Sequence, residues 1–447
     1  MTRAAPAMSV ARISGWGGTS VDGTEQRSED LLALTADVPL SRGLGRSYGD
    51  SSLPPASQPV VASTVLADRL LAFDEATGDL TAEAGYCLYD LWDTFLPRGW
   101  FTPVSPGTQF VTLGGMVAAD VHGKNHHRAG TIGAHVRAIV LRVAGGEIVR
   151  CSRTAHADLF RATIGGMGLT GHIVEVTLRL VRVPSPWIIG ETRRIPNIDA
   201  FVGALKSAAA IWPFTMGWID CLSTGPRLGR GVLFSGRWAT ADEAPQRFPR
   251  RLRRLSVPVS CPSWVMGTTI GRLFNAVYYR VHRTTPRARI VHPESFFYPL
   301  DSVHHWNRLY GRSGFTQYQC VLPESAGARA VHDLLVLMSR FGAASFLCVI
   351  KDCGPQGDGL LSFPLSGVSV ALDLPVRDDT QQVVDALNAF VVEAGGRVYL
   401  AKDAYTRAEH FRAMEPRLSE FETIRRRWDP DGRIRSQQSI RLFGDPS

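Results

Sequence analysis

The sequence predicts an α+β fold with two domains, and three features of the chain lead to this expectation. Short apolar runs separated by turns over 60–83, 136–151 and 171–184 alternate as strands joined by hairpins do. The segment from Cys87 to Gly99 has apolar residues at helical spacing and stops at Pro-Arg-Gly, which indicates a helix. Because helices and strands follow no regular βαβ repeat, we expect an α+β architecture and not a doubly wound sheet.

A domain boundary is expected at the proline-rich stretch "VPSPW", residues 183–187, which follows a long predicted strand. Beyond it, segments such as "RGVLFSGRW", "TQYQCVLP" and "VSVALDLP" are typical of strands, and 326–341 and 378–395 of helices. We therefore expect a second α+β domain after this boundary.

Composition is that of an ordinary enzyme, with 447 residues, 45% of them hydrophobic and 20% charged. Its seven cysteines are scattered and odd in number, so neither a disulfide framework nor a CxxC metal site is indicated and a reducing compartment is favoured. The N-terminus lacks the apolar run of a signal peptide, and no stretch of about 18 apolar residues could span a bilayer. We expect a cytoplasmic protein whose membrane contact is at most peripheral.

A strongly basic segment extends from Arg247 to Arg289, with ten arginines and no Asp or Glu, although the whole chain carries a net charge of only +8. Aromatic residues lie among the arginines in "SWVMGTTIGRLFNAVYYRVHR", a mixture typical of segments that meet anionic lipid or a phosphorylated amphiphile. Nucleic acid is the competing partner for a basic run, and a solvated loop without a partner is the third interpretation. The interleaved aromatics favour the lipid.

Two glycine-rich loops precede the predicted boundary, "SRGLGRSYGD" at 41–50 and "PVSPGTQFVTLGGMVAADVHGKNHH" at 103–127. Backbone amides without a neighbouring Cβ can cradle phosphate, and a pyrophosphate lying between two such loops would use both. One loop alone would more readily be a surface turn. A third turn, "GGMGLTGHI" at 165–173, could press against a flat ring system. Neither of the two loops at 41–50 and 103–127 contains G-x-G-x-x-G, and the chain contains no P-loop, which disfavours a Rossmann dehydrogenase and an NTPase.

These loops and several later motifs occur in one order that resembles a known family. The motifs are "RGLGRSYGD", "SPGT…VTLGG…ADVHGKNHH", "GGMGLTG", "YPLD…WNR.YG..GF.QYQ", "SFPLSG" and "Y.AKD". Together they resemble the vanillyl-alcohol-oxidase-like family of FAD-linked oxidases, and the similarity extends from residue 11 to residue 436. The resemblance implies an FAD-binding domain at 1–184, an inserted substrate domain built on an antiparallel sheet at 185–396, and a C-terminal tail at 397–447 that completes the first domain.

The resemblance also implies which residues bind FAD, which the similar enzymes hold noncovalently. The implied residues are Arg42, Gly43, Leu44, Gly45, Arg46, Ser47, Pro106, Gly107, Thr108, Thr112, Gly114, Gly115, Gly123, Asn125 and Ile173.

Three residues match the family's catalytic positions. Lys402 in "YLAKDA" would receive the hydroxyl proton or orient it, since desolvation can lower a lysine pKa enough. A surface ion pair with Asp403 is the alternative for this lysine alone. His122 and Lys124 in "HGKNHH" would lie near flavin and sugar, where a cation stabilises negative charge. The histidine cluster could also suggest a metal, but no carboxylate lies within the motif, so no metal is expected.

On the substrate side, Gln317 and Gln319 alternate on a predicted strand and would face one side, with Tyr318 toward the core. By resemblance, Lys351 would bind a phosphate, and Tyr298 and Ser369 would contact substrate. Two departures stand out: Phe297-Tyr298 replaces Tyr-His, and Ser369 and Ala371 replace Asn and Cys. The FAD half therefore follows the family more closely than the substrate half does.

As the leading functional hypothesis, the resemblance implies FAD-dependent oxidation of a secondary hydroxyl on a pentose-like, lipid-linked phosphosugar, as the oxidative half of an epimerisation in cell-wall arabinan synthesis. A separate NAD(P)-dependent reductase would complete the epimerisation, and an anionic membrane would be a peripheral partner. The alternative enzyme is a related sugar, nucleoside or aldonolactone oxidase of a natural-product pathway that uses oxygen. A basic membrane-binding or nucleic-acid-binding protein would leave both glycine loops without a purpose, so no nucleic acid is expected.

Overall fold

The computed structural model describes residues 11–262, 267–327, 329–342, 345 and 347–447. Within them the chain is an α+β protein, as predicted, in which helices cover antiparallel sheets. Residues 1–10 of the expected first domain and 263–266 of the basic segment lie outside the described residues.

A five-stranded antiparallel sheet forms the core of the N-terminal half among the described residues. In spatial order its strands are Leu70–Asp74, Asp79–Glu83, His172–Arg179, Val136–Arg142 and Ile148–Ser152. All neighbours run antiparallel, and the predicted Gly-Gly turn closes the hairpin, with Val143 N–H donating to Glu147 O at 3.0 Å. The helix Leu88–Phe95 packs Trp92 and Phe95 into the same core, so the predicted helix and strands are confirmed.

A smaller mixed sheet carries the first glycine-rich loop. Its strands are Ala11–Ser14, Ser20–Arg27, Val60–Ser63 and Ser41–Arg42. Because Ser41–Arg42 pairs in parallel with Val60–Ser63, the loop 43–50 leaves the edge of this sheet. Two further strand pairs join Trp100–Phe101 to Val181–Arg182 and Leu255–Ser256 to Val303–His304.

The largest sheet has eight described strands. They follow the order Arg289–Val291, Ile188–Ile195, Gly231–Trp238, Phe214–Ile219, Cys348–Cys353, Gly367–Pro375, Phe315–Pro323 and Arg397–Val398. Every pair is antiparallel, and the register sets Gln317 opposite Asp373 and Gln319 opposite Ala371. These central strands therefore bring residues more than fifty positions apart onto one face.

Helices cover the side of this sheet that faces away from the first core. Ile198–Ile211, Ala330–Arg340 and Thr380–Glu393 pack their apolar faces there, and the two predicted helices at 326–341 and 378–395 are thereby confirmed where they are described. The remaining α-helices in the described part of the chain are Leu31–Leu34, Leu113–Ala118, His126–Ala129, Ala157–Thr163, Thr268–Val281, Pro293–Phe297, Ala408–Met414, Leu418–Trp428 and Gln437–Phe443. The domain limits at 184/185 and 396/397 stay predictions; Arg397–Val398 itself pairs with the large sheet.

Candidate active site

A cavity of about 570 Å³ lies between the glycine-rich loops and one face of the eight-stranded sheet. Residues 41–48 and 105–124 line one wall, and residues from the sheet strands and the turn 399–402 line the other. Apolar surface dominates the wall, with a few convergent polar groups, which is the usual make-up of a small-molecule site.

The structure brings nearly all of the predicted cofactor residues to this cavity. On its wall lie Arg42, Gly43, Leu44, Gly45, Arg46, Ser47, Pro106, Gly107, Thr108, Thr112, Gly114, Gly115, Gly123 and Ile173. Asn125 is not among the lining residues: its side-chain amide donates to Pro103 O at 2.8 Å, so it braces the loop from behind.

Local geometry explains the glycines of the first loop. Gly45 has φ +61°, a conformation that favours glycine, and a Cβ on Gly43 would overlap the Thr112 hydroxyl. The two loops therefore touch, and Thr112 at the same time accepts from Gly115 N–H at 3.3 Å as the N-cap of Leu113–Ala118.

The two arginines of this loop serve its shape. Arg42 donates to Ser14 O at 2.7 Å and to the Ser52 hydroxyl at 2.7 Å. Arg46 lies with its guanidinium carbon 4.2 Å from the Trp16 ring centroid and donates to Phe110 O at 3.2 Å. Both arginine side chains therefore hold the loop 43–50 in its conformation.

The residues of this wall fit FAD. The cavity is large, and the glycines of its loops leave backbone amides without covering side chains. A Cβ placed on Gly107 would meet no other atom within 4 Å, so the space beside this loop is open. The buried hydroxyl of Ser51, also on the wall, has no hydrogen-bond partner among the described residues. Such an orphaned polar atom is costly unless a ligand satisfies it. Sequence reasoning did not single out Ser51.

Three lysines converge on the cavity, Lys124, Lys351 and Lys402. The chain contains only four lysines, and the fourth, Lys206, is an exposed partner of Glu324. Arginine carries the rest of the chain's positive charge. Because a lysine pKa can fall toward neutrality whereas an arginine cannot be deprotonated, lysines confined to a cavity indicate chemistry there.

Lys402 has its ammonium nitrogen 3.7 Å from the Tyr48 ring centroid. Desolvation lowers the pKa of Lys402 to about 7; the Asp373 carboxylate opposes this shift and Lys351 adds to it. A desolvated amine with a pKa near 7 is suited to exchange a proton at neutral pH.

Asp373 completes this charged group, and sequence reasoning missed it. Its carboxylate accepts from Gln317 at 2.5 Å and from the Tyr310 hydroxyl at 2.8 Å. Desolvation raises the pKa of Asp373 to about 6, with both hydrogen bonds and Lys402 opposing it. The strand alternation that places Ser369, Ala371 and Asp373 on one face could have indicated this residue.

His122 is held as a neutral hydrogen-bonding group. The Gln319 amide donates to its Nε2 at 2.9 Å, which assigns the ring proton to Nδ1, and burial lowers the pKa of His122 well below its ordinary value. The Nδ1 atom is buried without a partner among the described residues. The cationic role considered for His122 therefore does not suit it, and donation to a ligand does.

Lys124 points its amine to Phe297 O at 2.8 Å, and desolvation lowers its pKa to about 7. Desolvation also lowers the pKa of Lys351.

The predicted substrate residues divide into two groups. Gln317, Gln319 and Lys351 lie on the cavity wall, whereas Ser369 and Tyr298 do not. Ser369 accepts from the Gln319 amide at 3.2 Å, and the Tyr298 hydroxyl lies 2.6 Å from the Ser105 hydroxyl. Both therefore support wall residues and do not face the cavity. Tyr318 packs into the apolar core between the eight-stranded sheet and the helices that cover it, as its position on the strand predicts.

One part of the wall is apolar and aromatic. Its residues are Met216, Trp218, Phe234, Phe274, Tyr278, Leu347 and Val349. This part faces the same cavity as Lys351, so a ligand could contact apolar and cationic surface at once.

Comparisons with known proteins agree with this site. A model of the FAD binding domain family matches residues 32–152. The decaprenylphosphoryl-beta-D-ribose oxidase of Mycolicibacterium smegmatis is 35% identical, over 96% of this chain and 97% of that protein. An uncharacterized protein of Streptomyces coelicolor is 32% identical over 79% of this chain and 99% of its own length. The L-gulonolactone oxidase of Mus musculus is 32% identical over only 26% of each chain.

The chain belongs to the FAD-linked oxidase family that includes the Mycolicibacterium enzyme. It is an FAD-dependent oxidoreductase that acts on a CH–OH group. Both statements confirm the expectation drawn from the ordered motifs.

Proposed function

We propose that this chain oxidises the C2 hydroxyl of a polyprenylphosphoryl ribose to a ketone, as the oxidative half of an epimerisation. The observation that carries the proposal is the 35% identity over 96% of the chain to a decaprenylphosphoryl-ribose oxidase. The lysines and the apolar aromatic surface on one cavity wall support it, because the substrate joins a phosphate to a hydrocarbon chain.

When bound, FAD supplies the acceptor for the hydride that leaves the hydroxyl-bearing carbon. Lys402, as the neutral amine, accepts the hydroxyl proton, and Asp373 then stabilises the ammonium that forms. Gln317 and Gln319 hold the sugar hydroxyls in orientation. The products are the keto sugar, the reduced cofactor and a protonated Lys402.

Lys351 and Lys124 stabilise the phosphate, and Trp218, Phe234 and their neighbours accommodate the first prenyl units. His122 donates from Nδ1 to the bound ligand. Asn125, Ser369 and Tyr298 keep the wall in shape through their hydrogen bonds to Pro103, Gln319 and Ser105.

The altered residues on the substrate side favour a second candidate. Of these residues, only Ala371 and Phe297 line the cavity, where they are smaller or less polar than the cysteine and tyrosine expected from the family resemblance. A larger or less polar sugar site would suit a related sugar, a nucleoside or an aldonolactone, with oxygen as electron acceptor.

Two partners belong to the proposal. A separate NAD(P)-dependent reductase returns the keto sugar to the alcohol of inverted configuration, and an anionic membrane presents the lipid-linked substrate. Among the described residues, no helix is long and apolar enough to cross a bilayer.

Membrane contact is supported by exposed apolar residues within the basic segment. Large exposed hydrophobic residues there are Phe248, Leu252, Leu255, Val259, Ile270, Leu273, Phe274, Val277 and Val281. The last five repeat at helical spacing along one side of Thr268–Val281, whose Phe274 and Tyr278 also line the cavity. Arg272, Arg280 and Arg283 supply charge nearby, whereas Arg251 and Arg254 are engaged by Glu294.

The test of the proposed function is anaerobic flavin bleaching by a panel of compounds. A short-chain polyprenylphosphoryl-β-D-ribose should bleach the enzyme, while free ribose, nucleosides and aldonolactones should act far more slowly. Faster bleaching by a nucleoside or a lactone would replace the proposal with the second candidate. If no compound bleaches the flavin, oxidation of this class of hydroxyl is excluded.

A further inference from the structure

The C-terminal helix Gln437–Phe443 makes several hydrogen bonds to the turn that carries Lys402. Arg441 donates to both carboxylate oxygens of Asp50, at 2.8 Å each, and to Asp403 Oδ2 at 2.8 Å. It also donates to Thr406 O, and Gln438 on the same helix donates to Leu400 O at 2.8 Å. One guanidinium thus holds two carboxylates that lie far apart in the sequence.

The two segments that Arg441 joins are the ones that carry Tyr48 and Lys402. Tyr48 N–H donates to Ala401 O at 2.9 Å, and a Cβ on Gly49 would overlap the carbonyl oxygen of Asp403. Asp50 follows Tyr48 by two residues, and Asp403 directly follows Lys402. The contact between Lys402 and the Tyr48 ring therefore depends on how closely these two backbones are held.

Asp403 is also fixed from its other side. Its Oδ1 accepts from Tyr405 N–H at 3.1 Å and from Thr406 N–H at 2.9 Å, which closes the turn after Lys402. Both Asp50 and Asp403 are buried, at 6% and 8% exposed. Two buried carboxylates this close to each other need a shared cation, and a planar guanidinium can serve both with directed hydrogen bonds.

We infer that Arg441 is a positioning residue that, through Asp50 and Asp403, fixes Lys402 over Tyr48 and sets its local charge. The inference rests on the proposed role of Lys402 in proton transfer. It gives the C-terminal helix a part in the chemistry, although that helix contributes no residue to the cavity wall among those described.

The charged and titratable groups around Lys402 determine the expected sign. Asp373, Lys351, His122 and the Tyr48 ring face Lys402 from the sheet and the loops. Behind the turn lie Arg441, Asp50 and Asp403. With both carboxylates ionised, this group of three carries one net negative charge. Removing the arginine makes the group more negative and raises the pKa of Lys402, whereas removing one carboxylate leaves a neutral pair and lowers that pKa.

The experiment measures the Lys402 pKa in the FAD-bound protein by competitive acetylation with acetic anhydride, read by peptide mass spectrometry. Lys206, which is exposed, serves as the internal reference. We expect Arg441→Gln to raise the pKa by about half a unit to one unit, and Asp50→Asn to lower it by a similar amount. Shifts of opposite sign distinguish positioning by charge from simple loosening of the fold.

Arg425→Gln is the matched control, because Arg425 also pairs within the C-terminal tail, with Asp445 at 2.6 Å. It should leave the pKa of Lys402 unchanged. Arg441→Lys keeps the charge but cannot hold both carboxylates in the same way, so the pKa should stay near that of the wild type while anaerobic flavin reduction slows.

Unchanged labelling in Arg441→Gln and Asp50→Asn, or shifts of the same sign in both, would overturn the inference. If Arg441→Gln does not fold, Asp50→Asn still decides through its sign. Because acetylation needs no substrate, the result is separate from the proposed function: failure of polyprenylphosphoryl ribose to bleach the flavin would leave a pKa shift intact.

Discussion

Lys402 lies on the cavity wall and interacts electrostatically with the fully buried Asp373, and their environments bring both pKa values toward neutrality. Desolvation lowers the pKa of Lys402 to about 7 and raises that of Asp373 to about 6. Each group opposes the shift of the other, because the Asp373 carboxylate favours the ammonium form of Lys402 and that ammonium favours the carboxylate. This is the property required of a group that accepts a hydroxyl proton.

Replacing Lys402 tests that role. We expect Lys402→Ala to retain FAD but to slow anaerobic flavin reduction by about 10²–10⁴-fold, the range for positioned acid–base groups. Stopped-flow absorbance gives the rate, and Lys206→Ala, which removes an exposed lysine, is the control. Reduction of Lys402→Ala at the rate of the wild type would exclude the lysine from the reaction.

The pH dependence of reduction follows from the same lowered pKa. Since only the neutral amine accepts a proton, the rate should rise as pH increases through about 7 and then level off. Lys124 also has a pKa lowered to about 7, so the rise must disappear in Lys402→Ala to be assigned to Lys402. A flat wild-type profile from about pH 5.5 to about pH 9 would contradict the assignment.

Site residues that lie in short local motifs could be predicted from the sequence, whereas residues whose partners are distant in the sequence could not. Gln317, Gln319 and Lys402 could be named because each lies in a short distinctive motif. Asp373 has no such motif: its partners arise only when Phe315–Pro323 and Gly367–Pro375 pair in register. Arg441 was missed for the same reason, since Asp50 lies 391 positions earlier in the chain. The assigned roles themselves stay predictions.

Where one face of a helix or strand is buried, the spacing of its apolar residues was sufficient to predict the element. The helix expected from Cys87 occurs as Leu88–Phe95, and the hairpin expected over 136–151 as Val136–Arg142 and Ile148–Ser152. Periodicity cannot give strand order, because the neighbours of each strand are chosen by tertiary packing. The order of the large sheet, in which Cys348–Cys353 lies between Phe214–Ile219 and Gly367–Pro375, is such a case.

The helix Thr268–Val281 makes a prediction about membranes. The protein should co-sediment with phosphatidylglycerol vesicles at low salt and less at high salt, since each engaged basic residue contributes about 1 kcal/mol. Leu273→Ser with Val277→Ser should weaken binding, because both side chains are more than half exposed. Gln at Arg272, Arg280 and Arg283 should reduce the salt dependence.

Ile211→Ser is the matched control for that helix, because Ile211 is 73% exposed but lies in the helix Ile198–Ile211. If the wild-type protein stays in the supernatant, or if Ile211→Ser weakens binding equally, this surface does not bind membranes.

For the whole molecule, the cavity between loops and sheet indicates how FAD is retained. The described residues on its wall include no cysteine, and the family resemblance implies that FAD is held noncovalently. Acid precipitation should therefore release the yellow colour into the supernatant, where its absorbance is measured. Flavin that remains with the pellet would contradict noncovalent binding.

The arrangement of the whole chain explains why the cofactor-binding loops could be predicted from the sequence and the substrate-binding wall could not. The cofactor loops are local, with turns such as Gly45 that only certain residues adopt, and they could be recognised in the sequence. The substrate wall draws on separate strands and on the turn 399–402, so its shape exists only in the fold. The family was accordingly predictable, whereas the fit of a particular sugar was not.

The central claim is that the C2 hydroxyl of polyprenylphosphoryl ribose is the group oxidised. The most direct measurement is anaerobic flavin reduction by this substrate carrying deuterium at C2, followed by mass spectrometry of the sugar. The account predicts slower bleaching with the deuterated sugar and a product that has lost the deuterium together with one proton. Equal rates for both sugars, with the deuterium retained in the product, would contradict it.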